Sequence, residues 1–247
     1  MSKKTENNIN ASDLLIFLKK VFINGTIPSC KITTYDDGLW VVDAIDPNGI
    51  LITSVQKEIL PGNEWDIGVG DISILIKYLT MVGNNDVSVN LDKNRFKLKS
   101  KKGNLNFLTT ELDFIPTQVE GDNDPISDIM EIVEFELSFD DNIKKDIISL
   151  IGILKSELLT LNLLENGNVE INCGEKTTHQ SKIKIGNVDN KKKKAFNITI
   201  NSEVLLNVLN IISPVEELPI IKFAENTPII IDELNNAIWA INNMEGE

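Results

Sequence analysis

Trp65-Asp-Ile-Gly-Val-Gly-Asp-Ile-Ser-Ile-Leu-Ile-Lys-Tyr-Leu79 returns about 130 residues later as Phe196-Asn-Ile-Thr-Ile-Asn-Ser-Glu-Val-Leu-Leu-Asn-Val-Leu209. Each copy opens on an aromatic residue. Each then alternates apolar and polar residues (Ile67 and Val69; Ile198 and Ile200), which is the period of a strand with one buried face. A polar residue able to start a helix follows, Asp71 in the first copy and Ser202 in the second. Apolar residues then recur at helical spacing: Leu75, Tyr78, Leu79 and Val82, against Leu205, Val208, Leu209 and Ile212. Two copies of one strand-to-helix unit in one chain mean two similar domains.

The flanks of the two copies agree. After the first, Val87–Leu91, Phe96–Lys99 and Leu105–Leu108 read as strands, with turns at Asp92–Asn94 and Lys101–Asn104. After the second, Pro219–Phe223, Pro228–Ile231 and Ala237–Ile241 fill the same slots, with turns at Glu225–Asn226 and Asn235–Asn236. Upstream, a helix over about Ser12–Phe22 parallels one over about Asp141–Leu154. Each leads into a hairpin, through Asp36-Asp37-Gly38 or Glu165-Asn166-Gly167; Asp-Gly and Asn-Gly are the strongest short hairpin signals. Each half therefore reads helix, strands, helix, strands. The predicted division is a first domain over 1–118, a linker over 119–130 and a second domain over 131–247. Pro116, Gly121, Asp122, Asn123, Asp124 and Pro125 give the linker region the composition of a solvated crossover.

Helical wheels sort each helix into two faces. Leu14, Leu18, Val21 and Phe22 point inward in the first, with Lys20 opposite and Lys19 on the flank. In the second, Leu75, Leu79 and Val82 go in, and Ser73, Lys77 and Thr80 go out. In the third, Ile147, Leu150, Ile151 and Leu154 go in; Lys145 and Ser149 go out, with Lys144 and Lys155 at the edges. In the fourth, Leu205, Leu209 and Ile212 go in, and Asn207 and Asn210 go out. The outward faces carry Lys, Asn, Ser and Thr. This bias is notable in a chain with 37 acids, 24 bases and a net charge of −13.

That charge argues against a simple nucleic-acid binder, whose footprint is a basic surface. It leaves room for a protein that confines its cations to one face. Cys30 and Cys173 form no C-x-x-C pair, so neither a disulfide framework nor a zinc site is indicated. The lone His179 lies in a polar stretch with no orienting partner in view. Gly174-Glu-Lys-Thr-Thr lacks the upstream glycine of a nucleotide-binding loop, and neither H-E-x-x-H nor G-x-S-x-G occurs. Asp36-Asp37, Asp43, Asp46 and Asp140-Asp141 lack the spacing of a calcium loop. No metal and no cofactor is expected, and no catalytic constellation. No apolar run approaches the roughly 18 residues of a membrane span, and Met1–Asn10 lacks a signal-peptide core. The expectation is a cytoplasmic protein, in the host cell if viral. The high Asn, Lys and Ile content fits an AT-rich genome such as a phage's.

The repeat and its order of elements resemble the proliferating-cell-nuclear-antigen type of DNA clamp, and most closely the clamps of T-even-type phages. The resemblance rests on Trp65–Val89, with Gly83-Asn-Asn-Asp86 after its helix, and on Thr227-Pro228-Ile-Ile-Ile and Ala237-Ile-Trp-Ala-Ile241; it covers roughly residues 10–244. It implies an α+β fold of two clamp domains, with helices on the inner face and antiparallel sheets on the outer face. It further implies a ring, of three copies in the expected form, that encircles duplex DNA, with edge strands pairing between copies. A DNA polymerase and a clamp loader are the implied partners. By position, Lys20, Lys77 and Lys145, with Lys19, Lys144 and Lys155, would face DNA. Ala44, Ile45, Pro47, Phe114, Ile115, Pro116, Pro228, Ile241 and Met244 would form the pocket for partner peptides. The sequence departs from the family in a sparsely basic lining. Lys99, Lys101 and Lys102, and Lys191 to Lys194, fall in predicted hairpin loops. The competing readings are a processivity factor of the same fold that does not close a ring, for which the single arginine, Arg95, is too little, and a β-rich structural or virion protein.

Overall fold

The duplication is one of ten elements in one order, seen in a computed structural model that describes residues 7–60, 62–115, 125–174, 179–212, 217–234 and 236–244. The chain divides into two units, residues 1–47 with 53–121, and residues 48–52 with 122–247. The predicted linker and Pro116 lie largely outside the described residues.

In the first unit the order is β1 (Asn7–Asn10), α1 (Ala11–Phe22), β2 (Cys30–Thr34), β3 (Leu39–Ile45), β4 (Leu51–Glu58), β5 (Trp65–Val69), α2 (Ile72–Val82), β6 (Asp86–Asp92), β7 (Arg95–Ser100) and β8 (Gly103–Leu108). A short helix, α3 (Pro125–Glu131), opens the second. There follow β9 (Phe135–Ser138), α4 (Asp141–Leu154), β10 (Leu158–Leu163), β11 (Asn168–Gly174), β12 (Gln180–Asn187), β13 (Phe196–Asn201), α5 (Ser202–Ile211), β14 (Ile220–Phe223), β15 (Ile229–Asp232) and β16 (Ala237–Ile241). Strand orders match: β1-β6-β7-β8 and β5-β2-β3-β4 in one unit, β9-β14-β15-β16 and β13-β10-β11-β12 in the other. Every described pairing is antiparallel. Even the register repeats, with Thr34 opposite Trp65 and Leu163 opposite Phe196. β1 and β9 extend the predicted pattern; four polar-rich residues are too few to show a strand period.

Local chemistry explains the boundaries. Asn10, Asp71 and Asp140 each accept an amide two residues on, which satisfies a donor that the helix leaves unpaired. The fourth cap corrects the sequence reading: Asn201 accepts from the Val204 amide, and Ser202 is already helical. The β2–β3 and β10–β11 hairpins turn on Gly38 and Gly167, at φ +92° and +82°, a region that costs glycine no Cβ clash.

Each core sits between the buried stripes of a helix pair and the strands. Leu14, Phe17, Leu18 and Val21 of α1 and Ile72, Leu75, Leu79 and Val82 of α2 are buried in the first unit, with Trp40, Ile32 and Phe96. Phe17, and not Phe22, completes the α1 stripe; Phe17 meets Trp40 edge-on at 6.1 Å. The second unit buries Ile147, Leu150, Ile151, Leu205, Val208 and Leu209 against Leu161, Ile171, Phe223 and Trp239. Leu154 is only half-buried.

Two glycines make opposite predictions. A Cβ on Gly68 would stand 2.0 Å from the carbonyl oxygen of Thr110, whose amide donates to the Gly68 carbonyl. Gly68→Ala should therefore cost about 2–4 kcal/mol, because backbone has to move. A Cβ on Gly152, inside α4, meets nothing within 4 Å, so Gly152→Ala should stabilise by about 0.5–1 kcal/mol. Urea midpoints of the two variants check both signs.

Candidate nucleic-acid interface

The outward helix faces carry cations in their middle and last turns and acids in their first turns. Asp13, Asp141 and Glu203 occupy first turns, where the helix dipole favours negative charge. Asp13 also pairs with Lys57 at 3.2 Å. Lys19 on α1, Lys77 on α2 and Lys145 on α4 are exposed, as is Lys155, which ends α4 in the left-handed region at φ +50°. Asp146 beside Lys145 is exposed too. Ile16, Ile74, Met81 and Ile153 share the exposed helix surfaces. The fourth helix contributes Asn210 and no lysine.

One of the six predicted lysines, Lys20, is placed differently from the wheel, and an edge lysine, Lys144, is engaged by a helix end. Lys20 is only 7% exposed. The wheel set it opposite the core, but Phe17, one turn earlier, faces inward, so Lys20 shares the flank of α1 that its neighbours cover. Lys144 donates to the carbonyl of Ile212 at 2.8 Å, closing the end of α5. Lys102 does the same for α2, donating to the Met81 carbonyl at 2.9 Å. These lysines neutralise helix ends in both units. Lys99 lies in β7, within the strand expected over Phe96–Lys99 and short of the hairpin loop, and points outward.

Two of the four lysines in the run after β12 are tied to nearby carboxylates. Lys194 bonds both oxygens of Glu134, at 2.7 and 2.5 Å, and Lys191 pairs with Asp189 at 3.0 Å. Lys194's hydrogen bond holds the Glu134 carboxyl below its ordinary range against the opposing effect of desolvation, with the charges of Lys194 and Lys192 adding to the lowering. Glu134, Asp189 and Lys191 line a cleft of about 240 Å³ with Phe135, Asn190 and Lys192.

The residues named for a peptide pocket divide by exposure within their own units. In the first, Phe114 is 71% exposed on a short turn after β8, Pro47 is exposed, Ile45 is half-buried, and Ala44 and Ile115 are buried. In the second, Pro228 and Met244 are half-buried and Ile241 is buried; the Met244 amide donates to Thr199 at 2.7 Å.

The cysteines are free and buried. Burial pushes both thiols up; at Cys173 hydrogen bonds from the Gly174 and Ser156 backbone partly oppose it. The thiolate is the reactive form, so neither residue should react with iodoacetamide near neutral pH until the chain is unfolded. Rapid labelling of native protein, followed by mass spectrometry, would contradict this. His179 is exposed. Among the described residues no helix is long and apolar enough to cross a membrane.

No family model and no curated protein matches the sequence. Solved structures do match. PCNA of A. fulgidus, solved with the C-terminal region of FEN-1 bound, superposes with a TM-score of 0.75 at 15% identity, covering 98% of this chain and all of that one. The DNA polymerase sliding clamp of Bacillus subtilis gives 0.74 at 11% identity over 100% of this chain and 66% of its own. The DNA polymerase III beta chain of Streptococcus pneumoniae gives 0.71 at 14% identity over 98% of this chain and 65% of its own. With its repeated ten-element units and matching strand orders, the chain has the DNA-clamp fold, α+β with antiparallel sheets, over essentially its whole length.

Proposed function

We propose that this protein is a DNA sliding clamp, a processivity factor that encircles duplex DNA and tethers a replicative polymerase, and that it is not an enzyme. The carrying observation is the whole-chain match in both directions to PCNA of A. fulgidus. Three copies, each with two similar units, would close a ring of pseudo-sixfold symmetry. β8 and β12 support such closure, since each is the last strand in its sheet order and an unpaired edge is a template for another chain.

In this reading the exposed lysines of the helices, Lys19, Lys77, Lys145 and Lys155, face the duplex and touch phosphates without reading sequence. Lys20 and Lys144 add charge from behind. Few contacts suit sliding, because each phosphate contact adds to the electrostatic grip. The partner-peptide pocket draws on the residues named above. Within the first unit Phe114, Pro47 and Ile45 have surface to offer, and within the second Pro228 and Met244 do, while Ala44, Ile115 and Ile241 are buried. An apolar cleft of this kind takes aromatic or aliphatic anchors. The A. fulgidus structure, with a C-terminal region of FEN-1 on PCNA, supports short tails as the class of partner. A clamp loader would open the ring, in the cytoplasm, which is the host's if the chain is viral.

Native mass by light scattering at high protein concentration tests the ring. The expected value is near three times the 27.6 kDa of one chain. A monomer at every concentration would remove the closed-ring mechanism.

A further inference from the structure

Among the described residues a row of cations also lies on a sheet, on the face opposite its buried side. β7 alternates Arg95, Phe96, Lys97, Leu98 and Lys99; Phe96 and Leu98 are buried, so the three cations share the opposite face. Lys93 and Lys101 stand in the turns at its two ends. Six of the chain's 24 bases and only two of its 37 acids fall in residues 86–108. Of those acids, Asp92 pairs with Lys97 at 2.5 Å, and Asp86 opens β6 on the same face, two residues before the Ser88 that faces Lys99. Lys102 is occupied at the end of α2, which leaves five cations to consider.

The fold does not require this stripe. The equivalent sheet of the other unit carries Lys222 and Asp232, 8% and 6% exposed and paired at 2.8 Å, beside buried Ile230 and Ala240. One half covers its outer face and the other arms it with charge.

The neighbours of the stripe indicate what it would hold. Register places Ser88 and Asn90 of β6, and Asn104 and Asn106 of β8, beside Lys99 and Lys97. Arg, Lys, Ser and Asn are the side chains that contact phosphate and sugar. Among the described residues this face exposes one large apolar side chain, Leu108, too little for the clustered anchors of a protein interface. It exposes no aromatic ring on which unpaired bases could stack. A duplex backbone offers one charge per ~1.7 Å of axis, so a straight cation row of about 14 Å meets several phosphates at once. We propose that the outward face of β6–β7–β8 is a second duplex-binding surface, separate from the helix faces, which grips phosphates without reading sequence. It does not depend on ring closure.

The test is fluorescence anisotropy of a labelled 20-base-pair linear duplex, too short to retain a threaded ring, over a salt series. The variant Arg95→Gln/Lys99→Gln/Lys101→Gln leaves the Lys97–Asp92 pair intact. It should weaken binding about 10–100-fold at low salt and flatten the log–log salt slope by about 2–3. The variant Lys184→Gln/Lys193→Gln, which removes exposed charge from outside both proposed faces, should leave this binding in place. All five positions are exposed, and an unchanged thermal midpoint confirms folding. Unchanged affinity and slope in the sheet variant would overturn the proposal. So would poly-aspartate competing as well as duplex at equal charge, which would make the face a site for acidic proteins. Light scattering of the sheet variant separates the two readings: an intact trimer with lost linear binding supports this surface, whereas a monomeric wild type that binds linear duplex through it refutes only the ring.

Discussion

Cutting a DNA circle once should lower the amount of loaded protein that survives a high-salt wash by about tenfold or more. The reasoning is electrostatic. A protein that neutralises 6–10 phosphates loses about 10³–10⁵ in affinity between 50 and 200 mM salt. The outward helix faces of one chain offer four exposed lysines against exposed Asp141, Asp146 and Glu203, on a chain of net charge −13. At roughly 0.5 M salt such contacts no longer hold a protein on DNA. A closed ring does not need them, because topology prevents escape from a circle. Loading onto nicked circular duplex, washing, and then linearising half of the sample gives the comparison directly. Persistence on the circle with release from the cut DNA is the expected outcome. Equal loss from both would mean an open face that holds DNA by charge, and the sheet stripe through Arg95 and Lys99 would then be the first place to look.

The parts of this molecule that could be read from its sequence are those in which a side chain answers only to its own element. Gly38 and Gly167 mark turns because the backbone there goes left-handed, whatever surrounds it. Ile67 and Val69, or Leu75 and Leu79, betray strand and helix because their spacing follows the period of the element that buries them. What the neighbouring element does is not written in that spacing. The wheel set Lys20 opposite the core of α1, yet it lies on a covered flank, because its exposure depends on what packs along that flank. Lys144 and Lys102 look like solvated lysines until the helix ends that they close are placed beside them. Ser202 and Asn201 are both good caps, and only the backbone turn into α5 chooses between them. The pocket residues show the same limit from the apolar side. A core and a cleft ask for the same side chains, so Phe114, 71% exposed, and Ile241, fully buried, cannot be told apart by residue type.

Trp40→Ala should be the most destabilising single truncation in the first unit, at about 3–5 kcal/mol. Its indole is 1% exposed and meets Phe17 edge-on at 6.1 Å and Phe96 at 6.5 Å. Removing it empties the space between α1 and the sheets at the point where three aromatic rings converge, and a close-packed interior relaxes only in part. One feature works against the tryptophan itself. Its Nε1 is buried and has no hydrogen-bond acceptor among the described residues. Leaving such a donor unpaired costs about 1–3 kcal/mol. Trp40→Phe therefore loses packing volume but also removes that penalty, and the two partly cancel. Its cost should stay below about 2 kcal/mol, less than half that of the alanine variant. Trp65 is the control. It is half-buried and meets Phe96 at 6.4 Å, so Trp65→Phe removes less packing and relieves no buried donor. Chemical-denaturation midpoints of the three variants decide the matter. If Trp40→Phe is as costly as Trp40→Ala, the indole N–H is engaged in the native state, and ring shape alone does not account for a tryptophan at this position.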